Sequence, residues 1–498
     1  MTDKESQKII INRSAGFRDF YPEEFAKINF ILETMKQVAR EFGYVEYVTP
    51  AVELQKLYEL KSGDDLVGET FKIKSRSGQK LVLIPELTPS LTRILAEKQQ
   101  YYTKPIRWFS IPKCYRDETQ QRGRVKEFWQ LNIDLLGIDD IYADAEIIVI
   151  LIDIITRCGL NENQFVVRIN DRLFLQKFLD AIDIKDKLSI IQIFDKKDKL
   201  VQELIEKKLK SKFDESQAQD FALKIRQASN LDESIFNIIE KNTLTEKIVK
   251  NYDELRLKAF SSKLSKLGIS ADKIDILYKL SEIKDTPSEF IKRVKKLAPF
   301  DKIEEFLSDL SRLAEILENF GVTKYIIYDG SLARGLDYYT GIIFEAWSRD
   351  SILPRAIAGG GRYSDLVATL GGQPLPGTGF GMGETVLMEL MDEYNIKYPK
   401  INITDVYIAP IKLKNLETII QISDNLRSIG IKTTLNPFNW RIKRHFENAE
   451  KQGVKWMIIA GKKDLNQKSV TIRNIVSGEQ ELVPIKKVKN YLKRKLDK

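Results

Sequence analysis

Gly377, Gly379, Gly381 and Gly383 fall on every second residue between Pro376 and Gly383, with Phe380 and Met382 in the same run. Side chains of an extended chain alternate between two faces, so this spacing bares one face of the backbone while the other packs. The stretch therefore reads as a strand whose open face admits a flat ring or another element at close range. Glu384 to Met391 continues it as a helix.

A second segment complements the first. From Ile106 to Gly137 the sequence reads as two long strands around a polar loop. In the second strand Trp129, Leu131, Ile133 and Leu135 alternate with Gln130, Asn132 and Asp134, giving one apolar and one polar face. In the first, Cys114, Arg116 and Glu118 share a face, and the connection Thr119 to Lys126 carries Arg122, Arg124 and Lys126. A charged sheet face beside a basic hairpin loop is a plausible seat for a phosphate-bearing ligand; an antiparallel sheet wetted on one side would look the same.

Around these pieces the chain divides by pattern. A helix begins near Pro22, with Glu23 and Glu24 where the dipole favours them. Phe25, Ile28, Ile31, Leu32, Met35, Val38, Ala39 and Phe42 form its apolar stripe, and Gly43 stops it. Tyr44 to Val52 reads as a strand that Pro50 confines to an edge or an interface. Asn170 to Thr323 is rich in charged residues, Leu and Ile at helical periods, which predicts an inserted helical domain. Strands resume at Lys324 to Asp329 and Ile342 to Trp347. After Tyr398-Pro399, strands at Asp405–Ala409, Lys432–Leu435 and Lys455–Ala460 alternate with helices at Leu416–Ile429 and Ile442–Gln452. That order predicts a compact α/β domain with a largely parallel sheet, followed by a short basic helix or tail from Lys486.

Composition narrows the chemistry. A chain of 498 residues predicts two to four domains. Its longest apolar run, Ile147 to Ile155, is interrupted by Asp153 and falls short of the ~20 residues of a spanning helix. Met1 to Arg13 has no secretory pattern, so a cytosolic protein with no membrane partner is expected. Two cysteines, Cys114 and Cys158, cannot build a disulfide framework or a four-ligand zinc site alone. The single histidine, His445, has no second imidazole with which to share a metal, and no serine-elbow or HExxH pattern surrounds it. The chemistry must rest on arginines, carboxylates, backbone dipoles and bound metal. A net charge of +9 fits a polyanionic partner, nucleic acid first among them.

Several motifs then fall in order. Gly16-Phe17-Arg18-Asp19 precedes the first helix, and Pro85-Glu86-Leu87-Thr88 follows the Pro50 strand. Cys114-Tyr115-Arg116-Asp117-Glu118, Gly123-Arg124 and Glu127-Phe128-Trp129-Gln130 make up the hairpin. Leu332-Ala333-Arg334-Gly335-Leu336-Asp337-Tyr338-Tyr339-Thr340-Gly341 and Ala358-Gly359-Gly360-Gly361-Arg362-Tyr363 come later. Together they resemble the class II aminoacyl-tRNA synthetases and, through the last two and the Pro85 segment, the histidyl-tRNA synthetases. The likeness spans nearly the whole chain and is weakest across the insertion.

The resemblance implies an α+β catalytic domain on a mainly antiparallel sheet, built from residues 1–169 and 324–398. It implies a helical insertion at 170–323 that clamps the tRNA acceptor arm, and an α/β anticodon-binding domain at 403–498. The implied activity is ATP-dependent attachment of L-histidine to tRNA(His) through a histidyl-adenylate, with ATP as substrate, Mg²⁺ on its phosphates and a homodimer as the working unit. Glu86, Thr88, Arg116, Gln130, Asp134, Arg334, Tyr338, Tyr339 and Tyr363 would line the histidine pocket. Arg116, Glu118, Arg124 and Arg334 would handle ATP, with Arg116 and Arg334 catalytic. Arg441, Lys443 and Arg444, following Trp440, would contact tRNA; no residue is assigned to metal.

Two departures from the family pattern matter, one in the third motif, where Val386 takes the arginine's place, and one at Ile84. The family's third motif ends Gly-x-Glu-Arg, the arginine contacting ATP, whereas this chain has Gly383-Glu384-Thr385-Val386. Ile84 also stands where an arginine commonly precedes the Pro-Glu pair. Arg334 and Arg116 would then have to suffice. The alternatives are a non-catalytic regulatory or tRNA-binding paralogue and a synthetase for another amino acid.

Overall fold

The computed structural model describes residues 13–59, 68–118, 122–210, 214, 251–298, 300–333, 338–351, 353, 355–399, 404–411, 416–438 and 440–496. Met1–Tyr398 forms one compact unit and Pro399–Lys498 a second.

The strands of the first unit are β1 (Val45–Glu46), β2 (Val52–Leu54), β3 (Lys72–Lys74), β4 (Lys80–Leu83), β5 (Ile106–Ser110), β6 (Lys113–Tyr115) and β7 (Glu127–Leu136). They continue as β8 (Phe165–Asp171), β9 (Lys284–Asp285), β10 (Ile326–Asp329), β11 (Ile342–Ser348), β12 (Ala358–Tyr363) and β13 (Gly377–Gly383). Ten of them form one sheet in the order β1-β5-β7-β13-β12-β11-β8-β10-β9, with β6 pairing to the start of β7. Only β1–β5 and β8–β10 are parallel, so the sheet is mainly antiparallel, as expected.

Two expected strands are broken, each at a proline. Tyr44–Val52 splits at Pro50: β1 ends the large sheet, while β2 joins a separate three-stranded sheet, β2-β4-β3. The first strand of the hairpin splits into β5 and β6 at Ile111-Pro112, where proline offers no N–H to the ladder. The carbonyl of Pro112 still accepts from Gln130 N at 3.0 Å, which keeps β7 in register across the break.

Helix Pro22–Glu41 buries Ile28, Ile31, Leu32, Met35, Val38 and Ala39, and Gly43 follows it at φ +81°. The apolar run at 147–155 lies in helix Ile141–Arg157, which is buried on nearly every side and packs against the sheet through β13, β7 and β12. Helices between Arg172 and Asn319 share the same core, to which Phe174, Phe178, Phe260, Phe290 and Leu313 contribute. No helix among the described residues is long and apolar enough to cross a membrane.

The second unit has strands β14 (Val406–Pro410), β15 (Thr433–Leu435), β16 (Trp456–Ala460), β17 (Ser469–Asn474) and β18 (Gln480–Pro484), ordered β15-β14-β16-β17-β18. Its sheet is mixed rather than largely parallel. β14 pairs in parallel with β15 and β16, and β17 and β18 add an antiparallel hairpin at one edge. That hairpin escaped the sequence reading because β18 buries only Val483 and so carries no alternating signal. Helix Val488–Leu496 docks on this core through Val488 and Leu492.

Candidate active site

β7 and β13 lie side by side, with Gly379 opposite Asp134, Gly381 opposite Asn132 and Gly383 opposite Gln130. The polar face of β7 is not wetted. Gln130, Asn132 and Asp134 are 8%, 4% and 3% exposed, because they form the base of a cavity. The glycines make room for them. A Cβ on Gly379 would run into Asp134 Oδ1 and stand 2.5 Å from the carbonyl oxygen of Ile133. On Gly377 it would stand 2.7 Å from the Tyr363 ring, and on Gly381 3.1 Å from Gln130 Nε2. The open face inferred from the glycine spacing thus meets both a ring and polar side chains.

This cavity, of about 380 Å³, is lined by Glu86, Thr88, Arg116, Gln130, Asp134, Tyr338, Tyr339 and Tyr363. Each arrives from a different local structure. Glu86 and Thr88 bracket the start of helix Thr88–Lys98, where free N–H groups favour negative charge. The Tyr58 hydroxyl fixes that corner by donating to the Glu86 carbonyl at 2.9 Å. Tyr363 ends β12 and donates to Asp134 Oδ1 at 2.6 Å. Tyr338 lies 4.8 Å from the Tyr339 ring and meets Tyr363 edge-on at 6.2 Å.

Burial without a counter-charge pushes the Asp134 carboxyl up to about 7, although the bond from Tyr363 opposes the shift. Its Oδ2 is buried and has no partner. A buried acceptor left open in this way suits a ligand N–H.

A second cavity of about 320 Å³ adjoins the first through shared lining residues Arg116, Gln130, Glu345, Gly359 and Gly381. It also holds Glu118, Arg124, Thr385 and Val386. Arg116 stands at the junction, its Nε donating to the Pro85 carbonyl at 3.1 Å and its guanidinium 5.1 Å from the centre of the Phe128 ring. Arg124 pairs with Glu118 at 2.5 Å. The other hairpin cations do not face the cleft: Arg122 holds Glu389 and Glu393, each at 2.8 Å, and Lys126 holds Asp117 at 2.5 Å. Arg334 lies outside the described residues.

The departures from the family pattern lie in different surroundings: Val386 lines the second cavity, whereas Ile84 is in the core. Ile84 is fully buried with Leu57, Tyr58, Val82 and Leu87. Glu384, two residues before Val386, meets Arg18 at 3.2 Å, and burial pushes its carboxyl up to about 7. Cys114 is an inert buried thiol, pushed up to about 12 by desolvation. His445 is buried too, its Nδ1 3.1 Å from the Tyr407 hydroxyl, while Arg441, Lys443 and Arg444 around it are exposed.

Among the lining residues that sequence reasoning missed, four are polar or charged side chains of note. Asn132 shares the alternation of Gln130 and Asp134 and accepts from Gln130 Nε2 at 2.8 Å, so that periodicity could have found it. Glu345 sits on β11 without a motif. Asp195 reaches the first cavity from helix Lys187–Asp195, and Arg355 reaches the second from the segment between β11 and β12. No local pattern marks either.

The family model described as histidyl-tRNA synthetase matches residues 16–256 and 228–386, and that for an anticodon binding domain matches 405–495. The chain is 32% identical over 488 residues to the histidine–tRNA ligase of Pyrococcus furiosus, covering 98% of this chain and 100% of the relative. It is 32% identical over 491 residues to that of Pyrococcus horikoshii, covering 97% and 100%. In fold it is similar to the crystal structure of histidyl-tRNA synthetase from Nostoc, with a TM-score of 0.72 and 22% identity over 97% of this chain and 99% of that one. Since the matches run almost end to end and residues from several of the motifs line the two adjoining cavities, the chain belongs to the histidyl-tRNA synthetase family.

Proposed function

We propose that the chain attaches L-histidine to tRNA(His) in two steps, using ATP. The observation that carries this reading is the adjoining pair of cavities with Arg116 at their junction. The first has the size and polarity for a small amino acid, and the second collects guanidinium groups suited to phosphate. In the first step a histidine carboxylate oxygen attacks the α-phosphorus, the bond to the β-phosphate oxygen breaks, and pyrophosphate leaves with the electron pair. The nucleophile is already ionised, so the residues need only align the reactants and steady the phosphate oxygens. In the second step a terminal ribose hydroxyl of tRNA attacks the adenylate carbonyl, AMP leaves, and the hydroxyl proton is lost.

Arg116 faces both substrates, and Arg124 with Glu118 borders the nucleotide. Asp134, Tyr363, Gln130, Tyr338, Tyr339, Glu86 and Thr88 surround the amino acid, with Arg334 joining the catalytic set. Glu118 and Glu345 are the carboxylates lining the second cavity, and Mg²⁺ commonly takes one or two such groups beside nucleotide phosphates. Bound there, the ion would neutralise charge on the β- and γ-phosphates.

In the second unit Phe438 and Trp440 stack at 4.9 Å with an interplanar angle of 11°, and Arg444 lies 4.4 Å from the centre of the Trp440 ring. Phe438 is 56% exposed. Aromatic faces beside Arg441, Lys443 and Arg444 suit single-stranded bases and their phosphates. At the sheet edge Val45 and Val48 are exposed beside β1, an apolar rim that suits a second copy of the chain. Sedimentation equilibrium should give twice the monomer mass, and a monomer at micromolar concentration would reject the dimer. A cytosolic location follows from this role.

The decisive experiment is histidine-dependent ATP–pyrophosphate exchange, followed by charging of bulk tRNA with labelled histidine. Both should respond to histidine and to no other amino acid. Absence of exchange from folded protein, with tRNA binding retained, would instead mark a non-catalytic paralogue.

A further inference from the structure

Among the described residues three guanidinium groups line the second cavity, those of Arg116, Arg124 and Arg355, and they are not equally neutralised. Arg124 has Glu118 as its ion-pair partner. Arg355 makes no hydrogen bond or ion pair among the described residues, and its Nε is buried. Glu118 and Glu69 act on it only at longer range, against the repulsion of Arg124 and Arg116. Burial first, and Arg124 next, pull its pKa down to about 10. A half-buried cation among like charges weakens the empty fold, and it persists where an anion spends time beside it.

Its position bears on the departure at Val386. A Cβ placed on Gly123 would lie 3.6 Å from Arg355 Cγ and equally 3.6 Å from Val386 Cγ2, so the two side chains flank the same point. The apolar Val386 leaves that corner without a cation of its own, while the guanidinium of Arg355 lies in the same cavity, on the segment leading into β12.

We propose that Arg355 binds the phosphates of the nucleotide, supplying from the segment before β12 the charge that residue 386 lacks. The proposal rests on the nucleotide reading of this cavity. As a phosphate donor it would act with Arg116 on the ATP oxygens and leave histidine recognition to the first cavity, whose lining does not include Arg355.

The test uses Arg355→Gln and Arg355→Lys in the full chain. In histidine-dependent exchange the KM for ATP should rise on the order of 10- to 100-fold for R355Q and less for R355K. The KM for histidine should stay within about twofold. Calorimetry should show ATP affinity falling while adenosine, which lacks phosphates, binds as before. The melting temperature of R355Q should not drop, whereas loss of a structural arginine would lower it. Val386→Arg in the R355Q background should recover part of the ATP affinity.

A KM for ATP within about twofold of the unaltered chain in both variants would overturn the assignment. So would equal weakening of ATP and adenosine. If the unaltered chain shows no exchange and no ATP binding, the nucleotide reading itself fails, a result distinct from either of these.

Discussion

Asp134→Asn is expected to lower kcat/KM for histidine by about a thousandfold while making the empty protein more stable. The opposed directions share one cause. Asp134 is buried beneath Gly379, accepts from Tyr363 through one oxygen and leaves the other open to the cavity. A substrate N–H facing an amide gains a far weaker acceptor than a carboxylate, and the amide can turn an N–H of its own toward it.

Stability moves the other way because the folded carboxyl titrates near 7 against an ordinary value of 3.8. A folded pKa raised in this way means the native state binds the extra proton. The favourable contribution of the neutral acid is therefore complete below the ordinary value and is lost as pH climbs toward 7. The Asn variant has no such loss. Its advantage should be absent near pH 4, grow toward pH 7 and then level off at no more than about 4 kcal/mol. Urea melts at pH 4, 6 and 8, with histidine-dependent exchange, check both halves. A kcat/KM for histidine within tenfold of the unaltered chain, or a stability difference that ignores pH, would defeat the assignment of this carboxylate.

Arg362→Met should destabilise the first unit by about 3–5 kcal/mol, enough to threaten folding of a marginally stable chain. Arg362 precedes the site residue Tyr363 but points to the opposite face of β12. There Nε donates to Asp144 Oδ2 at 2.9 Å, one terminal nitrogen donates to that oxygen and to the Asp140 carbonyl at 2.7 Å, and the other donates to Asp139 Oδ1 at 3.2 Å. Asp144 is fully buried; burial pushes it up to about 6 even with Arg362 pulling it down. Without the guanidinium the carboxyl would titrate higher still, so the loss should be smaller at pH 5 than at pH 8. Replacing both partners by Leu should return much of the stability, since paired removal leaves no buried charge. A single variant melting within two degrees of the unaltered chain would rule out this clamp.

The contrast between Arg362 and Tyr363 shows what the sequence could reveal. Period-two alternation located β7 and β13, and with them Gln130, Asp134 and the glycines that accommodate them. It reported which residues share a face but not whether that face is wet, so burial of the β7 polar row came only with the fold. Proline marked breaks at Pro50 and Pro112 that the periodic pattern ran through. The residue pattern of the hairpin loop gave three cations, from which only the family resemblance singled out Arg124. The tertiary contacts add that Arg122 and Lys126 are held by carboxylates outside the cavity lining while Arg124, paired with Glu118, belongs to it. Arg355 and Asp195 were illegible for a simpler reason: each reaches its cavity from a segment with no period or motif of its own, brought there by chain topology.

The glycines of β13 restrict how the selectivity of the first cavity can evolve. Any atom added at 377 or 379 collides with a neighbour, so neither position can be used to trim the space. Drift toward a bulkier or less polar occupant must therefore pass through lining side chains such as Phe380 and the tyrosines at 338, 339 and 363, the tyrosines each engaged with another ring or with Asp134. A route needing several coordinated changes is slow to travel, and such a pocket keeps its preference through backbone geometry as well as side-chain chemistry.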